Sequence, residues 1–302
     1  MAVELGRFIN DQLKNLPPDH PDREYLEDLS AITKSYIERG DRVRGDFLNR
    51  SQLVEREHEA LRAFFGKEVP VLAPPSELFE TLKVAEVEGF GKILKPVYFP
   101  AVKFEQADEY PGWKVKPEEW FWDEIKEGFL KKSAVRLGGY WGLFDESRRP
   151  NYNGGRQMFP EDPLAPVLAK ARKEGRIAVP DLLNYVPEGS RFAVSSDEKD
   201  QTVFPQLAKI LRLTKSVAIV RRPTEMEFNF AGNLRYPHLG EANTWEQLND
   251  KWGKWGGSFW LTGGNSEMGG LADVHYDCTY DGCSNVRQDI DAFRPLVVFL
   301  HN

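Results

Sequence analysis

Two patterns of apolar spacing meet near residue 90. Before that point apolar residues recur every three or four positions, as in the stripe that runs from Phe47 to Phe65 and ends at Gly66. This spacing is typical of amphipathic helices. The prolines of PVLAPP then break the pattern before Ser76, which can cap another helix. We therefore predict a helical N-terminal region over residues 1–90.

Beyond residue 90, short apolar runs replace the long periodic ones, and glycine, proline and aromatic residues become more frequent. Eight runs between turn-forming residues predict β-strands: ILKPVYFPAV, SAVRLGGYWGLF, RFAVS, SVAIVRR, EFNFAG, SFWLTGG, LADVHY and FRPLVVFL. Three segments predict helices: PEEWFWDEIKEGFLKK, DPLAPVLAKARKEG and DQTVFPQLAKILRL. This mixture predicts an α+β domain over residues 91–302.

Composition and charge narrow the range of functions. With 302 residues, 41% of them hydrophobic, the chain can bury a core without disulfide or metal staples, so we expect no cofactor. The formal charge is −7 and the basic residues occur in scattered pairs, which argues against nucleic acid as a partner. The start lacks the pattern of a signal peptide and no apolar stretch could span or insert into a membrane. The default location is therefore cytoplasmic, with surface display through a partner as the alternative.

Known catalytic motifs are missing: GxxxxGK, GxSxG, HExxH and CxxC do not occur. The densest group of chemistry-bearing side chains follows the run LADVHY. A zinc site built on His275, Cys278 and Cys283 has no evident fourth ligand. A calcium loop that begins at Asp277 has a glutamine where the bidentate glutamate belongs. A nucleophilic Cys/His pair has no orienting third group, so we predict neither a metal site nor a catalytic residue.

The same segment has an unusual composition. Residues 269–287 read GGLADVHYDCTYDGCSNVR, contain both cysteines of the protein, and include no Lys, Glu, Gln, Met or Trp. Every residue in it can be encoded by a codon that ends in a pyrimidine. Tyr, Asp, His, Ser and Asn are the products expected when the adenines of asparagine codons are randomised. The pattern indicates a diversified segment at about residues 265–290.

Two flanking motifs carry a resemblance to a known family. GGSFW at 256–260 resembles a GGxW turn with one added residue, and AFRP at 292–295 with LVVFL resembles a terminal GFR strand. Both are landmarks of the variable proteins of diversity-generating retroelements. The resemblance implies a C-type lectin fold in residues 91–302 and a reverse transcriptase that rewrites codons between the landmarks. The departures from both motifs point to an outlying subclass, of which the archaeal branch is one candidate.

A segment that accepts arbitrary residues must contribute little to the core, because a wrong residue in a packed interior costs several kcal/mol, on the order of ~2–5. It must be exposed and held by fixed anchors, for which Trp260, Phe293, Pro295 and Phe299 are the candidates. Such a loop suits recognition rather than catalysis. The residues expected to face a ligand are Asp273, His275, Asp277, Cys278, Tyr280, Asp281, Cys283 and Asn285. Val274 and Tyr276 are left out of this set, because alternation along a strand points every second side chain inward.

The leading hypothesis is a non-enzymatic, receptor-like protein whose unknown ligand we expect to be a protein; its oligomeric state stays open. Two alternatives remain. One is an enzyme of related fold that uses the thiols of Cys278 and Cys283, as formylglycine-generating enzymes use a cysteine pair. The other is a carbohydrate-binding module that uses Trp252 and Trp255, although buried anchoring is the commoner use of such rings.

Overall fold

The computed structural model of the protein describes residues 49–178, 185–253, 259–277 and 286–300. Contacts divide the chain into two units, Met1–Asn49 and Arg50–Asn302, and the description below concerns the second. The unit begins with two helices that pack on its other elements. The sequence pattern predicts these helices as part of a helical N-terminal region over residues 1–90.

Helices and strands are mixed along the described residues, as the sequence predicts. The helices are α1 Arg50–Phe65, α2 Ser76–Val87, α3 Glu119–Glu127, α4 Ala165–Lys173, α5 Ser196–Glu198, α6 Phe204–Ile210 and α7 Glu225–Leu234. The strands are β1 Leu94–Lys103, β2 Arg136–Asp145, β3 Ala218–Arg221, β4 Trp245–Trp252, β5 Phe259–Gly263, β6 Val274–Asp277, β7 Asp291–Phe293 and β8 Leu296–Phe299. A π-helical turn, Lys199–Val203, joins α5 to α6, and 3₁₀ turns cover Pro237–Gly240 and Gly270–Ala272.

The first sheet has the strand order β1-β2-β8-β3, with antiparallel neighbours throughout. All four residues of β8 are buried, so this short strand lies in the core of the sheet. The register pairs Leu143 with Val297 and Val220 with the same residue from the other side. A continuous apolar run is what a strand buried on both faces requires, and LVVF supplies it.

The second sheet has the order β6-β5-β4-β7, in which only the β4–β7 pair is parallel. Strand β6 lies at its edge. The register pairs Leu261 with Tyr276 and Thr262 with His275. Because side chains alternate along a strand, these two pairs point to opposite faces of the sheet. The edge strand that enters the predicted diversified segment therefore presents Tyr276 on one face and His275 on the other.

Two predicted strands are wrong. EFNFAG lies in helix α7, which a reciprocal cap starts: the Thr224 hydroxyl accepts the Glu227 backbone N–H, and the Glu227 carboxylate accepts the Thr224 backbone N–H at 2.7 Å. The apolar spacing of this segment fits either a strand or a helix, and the cap favours the helix. RFAVS is irregular because the side chain of Arg191, fully buried, is bonded to two aspartates.

Two further expectations need correction. Ser76 is the first residue of α2, and the residue in the capping position is Pro75, which makes no side-chain hydrogen bond there. Strand β4 was not predicted, since TWEQLNDKW lacks an apolar alternation. It forms nonetheless because Glu246 and Gln247 are buried with partners supplied by distant segments. Tertiary hydrogen bonds replace the missing apolar pattern.

Candidate functional site

The segment predicted to be diversified is described at its two ends. Strand β6 carries the chain to Asp277, whose backbone pairs with Trp260, and the description resumes at Val286. Five of the expected ligand-facing residues lie outside the described residues: Cys278, Tyr280, Asp281, Cys283 and Asn285. Trp255 and the Gly-Gly-Ser of GGSFW lie outside them as well. The site is therefore built from its flanks.

Asp273 does not face outward, contrary to expectation. Its side chain is 3% exposed, its Oδ2 accepts the backbone N–H of Asn265 at 2.9 Å, and its Oδ1 lies 3.1 Å from His275 Nδ1. A carboxylate placed directly before an edge strand and bonded to a loop amide fixes the loop. Asp273 thus positions the strand that follows it.

His275 lies at the surface, with 37% of its side chain exposed. Nδ1 faces Asp273, and Nε2 lies 3.2 Å from the Thr262 hydroxyl on the neighbouring strand. The imidazole also meets the ring of Trp245 edge to face, with centroids 5.4 Å apart. Partners on both nitrogens hold the ring in one orientation while leaving part of it accessible. Thr262 itself is fully buried, which gives a substrate no approach to its hydroxyl.

Tyr276 belongs to an aromatic group on the opposite face. Its ring is stacked on Trp252 at 4.3 Å, and Trp252 also stacks with Phe129 at 5.2 Å, both at nearly parallel angles. The indole N–H of Trp252 donates to Glu124 at 2.5 Å. Tyr276 is 39% exposed, whereas Val274 is fully buried. Strand β6 is therefore anchored at its start and open towards its end.

The returning end of the segment is tied down again within a few residues of Val286. Arg287 forms an ion pair with Glu198 through two nitrogens, at 2.7 and 3.0 Å. The carbonyl oxygen of Gln288 accepts the Ala193 backbone N–H at 2.9 Å. Val286, the first described residue after the gap, is 37% exposed. On each side of residues 278–285, an exposed side chain, Tyr276 or Val286, is therefore followed within a few residues by residues with fixed contacts.

Asp289 forms a second, exposed anchor. Its Oδ2 accepts the hydroxyl protons of Tyr152 at 2.9 Å and of Tyr185 at 2.8 Å. Each tyrosine is about two-fifths exposed, at 43% and 40% respectively. The hydrogen bond with Asp289 raises the pKa of Tyr185 to about 12, so both phenols stay protonated donors at neutral pH.

The predicted scaffold residues after the segment are buried. Ala292, Phe293 and Phe299 are at most 1% exposed, and Phe293 meets Phe204 edge to face at 5.8 Å. Trp260 is only partly buried, and the guanidinium of Arg222 lies 3.9 Å from the centre of its ring. Packing of this kind fixes the backbone that leaves the segment.

Arg294 joins a network of opposite charges, the arginine cluster. Its members are Asp145, Arg149, Asp162, Arg191, Glu246 and Arg294. Arg191 contacts Asp162 with two nitrogens at 2.7 and 2.8 Å and Asp145 with a third at 2.5 Å. Arg149 and Arg294 share one Glu246 oxygen at 2.7 and 3.3 Å. Burial alone would raise the pKa of Asp145, but Arg191 and Arg294 lower it below its ordinary value.

A second group, the acidic cluster, lies beside β6; Glu225 and Asp273 are buried, and Glu118 and Asp250 are half-buried. Its members are Glu118, Glu225, Asp250 and Asp273. Glu225 is fully buried, and neither of its carboxylate oxygens has a hydrogen-bond partner among the described residues. Burial, followed by the charge of Asp250, raises its pKa well above the ordinary value, and burial raises the pKa of Asp250 to about 6.

Sequence reasoning missed this cluster because its members come from four segments far apart in the chain. Glu118 precedes α3, Glu225 starts α7, and Asp250 lies in β4. An isolated acidic residue in a sequence carries no sign that others will be folded against it. A glutamate directly after a capping threonine has the usual place of an acidic side chain that interacts favourably with the N-terminus of a helix, so the sequence does not mark it as unusual.

Within the described parts of the chain, no group of three or more His, Cys, Asp or Glu side chains is arranged to hold a metal ion. Among the helices in those parts, none combines the length and apolar composition needed to cross a bilayer. No protein-family model, no curated protein and no solved structure matches this chain. The functional argument therefore rests on the residues themselves.

Proposed function

We propose that this protein is a receptor-like binding protein that displays a diversified segment, about residues 265–290, on a C-type lectin-like scaffold. The observation that carries the proposal is the change in burial along the segment. Val274 and Ala292 are fully buried, whereas Tyr276 and Val286, nearest the undescribed stretch, are 39% and 37% exposed. Flanks that are anchored in the core and become exposed towards residues 278–285 are what tolerance of sequence change there requires.

The anchors use interactions that do not depend on the middle of the segment. Asp273 bonds to Asn265 and Arg287 to Glu198 near the two ends of the segment, and Arg294 bonds to Asp145 and Glu246 beyond it. These contacts remain as long as the changes are confined to residues 278–285. Tyr, Asn, Ser and Asp in that stretch are adaptable contact residues of the kind that binding loops favour. Binding without turnover follows from this composition.

The carbohydrate alternative needs an aromatic face free to stack on a sugar. Trp252 instead stacks with Phe129 and Tyr276, and its N–H donates to Glu124. These contacts favour a packing role for Trp252. The oxidase alternative depends on Cys278 and Cys283, which lie outside the described residues, so it is separated by experiment.

The genomic test is direct. The gene should be accompanied by a near-copy of its 3′ end, in which asparagine codons stand at the varied positions, and by a reverse transcriptase gene. Sequencing of the neighbouring DNA decides this. Absence of both elements would remove retroelement diversification from the proposal.

The protein test compares two libraries in the full chain. The first randomises Cys278, Tyr280, Asp281, Cys283 and Asn285; the matched control randomises Phe293, Leu296, Val297, Val298 and Phe299. We expect most members of the first library to resist protease, and most of the second to be degraded, because each core change costs about 2–5 kcal/mol. Equal losses in both libraries would contradict the proposal.

The thiol variants separate the enzyme alternative. Cys278→Ser and Cys283→Ser together should leave the melting temperature and fold unchanged if the cysteines belong to a displayed surface. A thiol-dependent oxidation that the wild type catalyses and the double variant does not would favour the oxidase instead.

A further inference from the structure

Glu225 is a buried acid without a compensating charge. It opens helix α7, its residue is fully buried, and its two carboxylate oxygens lack hydrogen-bond partners among the described residues. An ionised carboxylate in such a position is strongly disfavoured, and proteins usually avoid it by pairing or by protonation. Pairing is provided two residues later, where Glu227 meets Arg221 at 2.6 Å, but not at Glu225.

The carboxyl of Glu225 lies against the strands that lead into the diversified segment. A Cβ built on Gly263 would come within 3.4 Å of Glu225 Oε2 and 2.4 Å of the Asp273 carbonyl oxygen, so both oxygens border the space that the glycine leaves open. Gly263 pairs with Val274, the first residue of β6. A buried carboxyl without a hydrogen-bond donor or a cation beside it is favoured in its protonated, uncharged form.

Asp250 couples this acid to β4. Its Oδ2 accepts the backbone N–H of Glu225 at 2.7 Å, which brings a second carboxyl to the start of the helix. Glu118 joins from the other side, where its Oε1 accepts the backbone N–H of Val274 at 3.2 Å. The start of β6 is thus held between carboxyl groups from separate elements.

We propose that the carboxyl of Glu225, next to Asp250, is a proton-dependent latch: its bound proton keeps the β5–β6 edge of the second sheet seated against α7, and loss of the proton loosens edge strand β6. The latch does not depend on the proposed display function. It would, however, act on the strand from which the displayed segment begins.

The charged groups around Glu225 determine whether its pKa is raised or lowered. Asp250, Asp273 and Glu118 face Glu225 and disfavour its ionisation. Asp250 is itself influenced by Glu227 in the same direction and by Arg221 and Lys131 in the opposite one. The interaction with His275 favours the ionised form of Glu118, and the charge of Asp273 favours the charged form of Arg149. Like charge therefore dominates next to Glu225.

A group whose pKa is higher in the folded state than in the unfolded state stabilises the fold fully below the unfolded value, about 4 for these acids. That stability is lost as the pH rises through the folded pKa, which is about 6 for Asp250 and well above the ordinary value for Glu225. Each such group can change the unfolding equilibrium constant by up to about tenfold per pH unit in this window.

The experiment measures the melting temperature of the full chain from about pH 5 to about pH 8, together with hydrogen exchange of the peptide that contains β6, corrected for intrinsic rates. We expect the wild type to lose stability and β6 protection towards the upper end. Glu225→Gln, which imitates the protonated acid, should raise the melting temperature near the upper end, flatten the pH profile and restore protection of β6.

Glu227→Gln is the matched control, with the same substitution two positions along the same helix. Because it removes the partner of Arg221, it should lower the melting temperature across the range. Asp250→Asn is a second variant that should also flatten the profile. A slope that persists in Glu225→Gln would assign the pH dependence to other groups and overturn the latch.

Calcium chloride, added to the wild type near the upper end of the pH range, distinguishes a bound cation from a bound proton. A clear rise in melting temperature that Glu225→Gln abolishes would show a bound cation rather than a proton at the pair, and would overturn the proposal. Equal responses of the two proteins to the salt support it.

Discussion

The arginine cluster and Glu225 of the acidic cluster are both buried, yet their charges are neutralised in different ways. In the arginine cluster every carboxylate meets a guanidinium, as Arg191 does with Asp145 and Asp162. In the acidic cluster the charges that raise the pKa of Glu225 are those of other acids. A buried carboxyl can thus be stabilised either by a permanently charged partner or by a bound proton, and only the stabilisation by a proton depends on pH.

The two clusters also support different parts of the molecule. The arginine cluster binds the end of β2 to the segment before β8, through Asp145 and Arg294, which secures the frame. The acidic cluster lies around the start of β6, a strand within the segment that we propose to be diversified. A fixed frame with a conditional edge is consistent with the separation of scaffold and displayed surface proposed above.

The largest effect should follow from breaking the arginine cluster. Arg191→Leu leaves Asp145 and Asp162 buried without their common partner, and we expect a loss of about 3–5 kcal/mol in the free energy of unfolding, measured by urea denaturation. Arg148→Leu is the control, because its pair with Glu241 is exposed and should contribute at most about 1 kcal/mol. Similar losses in the two variants would refute the distinction.

A smaller effect is expected when the space beside Glu225 is filled. Gly263→Ala places a methyl group 2.4 Å from the Asp273 carbonyl oxygen, so the β5–β6 pair must shift at a cost of about 1–3 kcal/mol. Hydrogen exchange should show faster exchange in β6 than in β8. Gly138→Ala, which meets only the ring of Tyr140, should have little effect on either strand.

The smallest effect should come from removing one charge of the acidic cluster. Asp250→Asn keeps an oxygen that can accept the Glu225 N–H and removes the repulsion between the two acids. We expect a gain below about 1 kcal/mol near neutral pH, visible as a small rise in melting temperature, and no gain in acid. A clear loss near neutral pH would mean that the charge of Asp250 stabilises the site.

Much of the fold could be predicted where local pattern and burial agree. LVVF at 296–299 reads as a buried strand and is β8, and the segment around Glu119–Glu127 reads as a helix and is α3. EFNFAG failed because aromatic spacing also fits a strand, and the decisive contact is the Thr224–Glu227 cap. For the site, His275 and Tyr276 lie at the surface, but Asp273 is turned inward by Asn265, a contact that no local pattern encodes.

The sequence by itself determined the α+β character, the strands that carry continuous apolar runs, and the odd composition of residues 269–287. Only the tertiary structure decided which acids share a buried space, because Glu225 meets Glu118, Asp250 and Asp273 through the packing of α7 on the second sheet. The physical reason is range: apolar periodicity acts between neighbours along the chain, whereas the charge on a buried carboxyl depends on whatever the fold brings within a few ångströms.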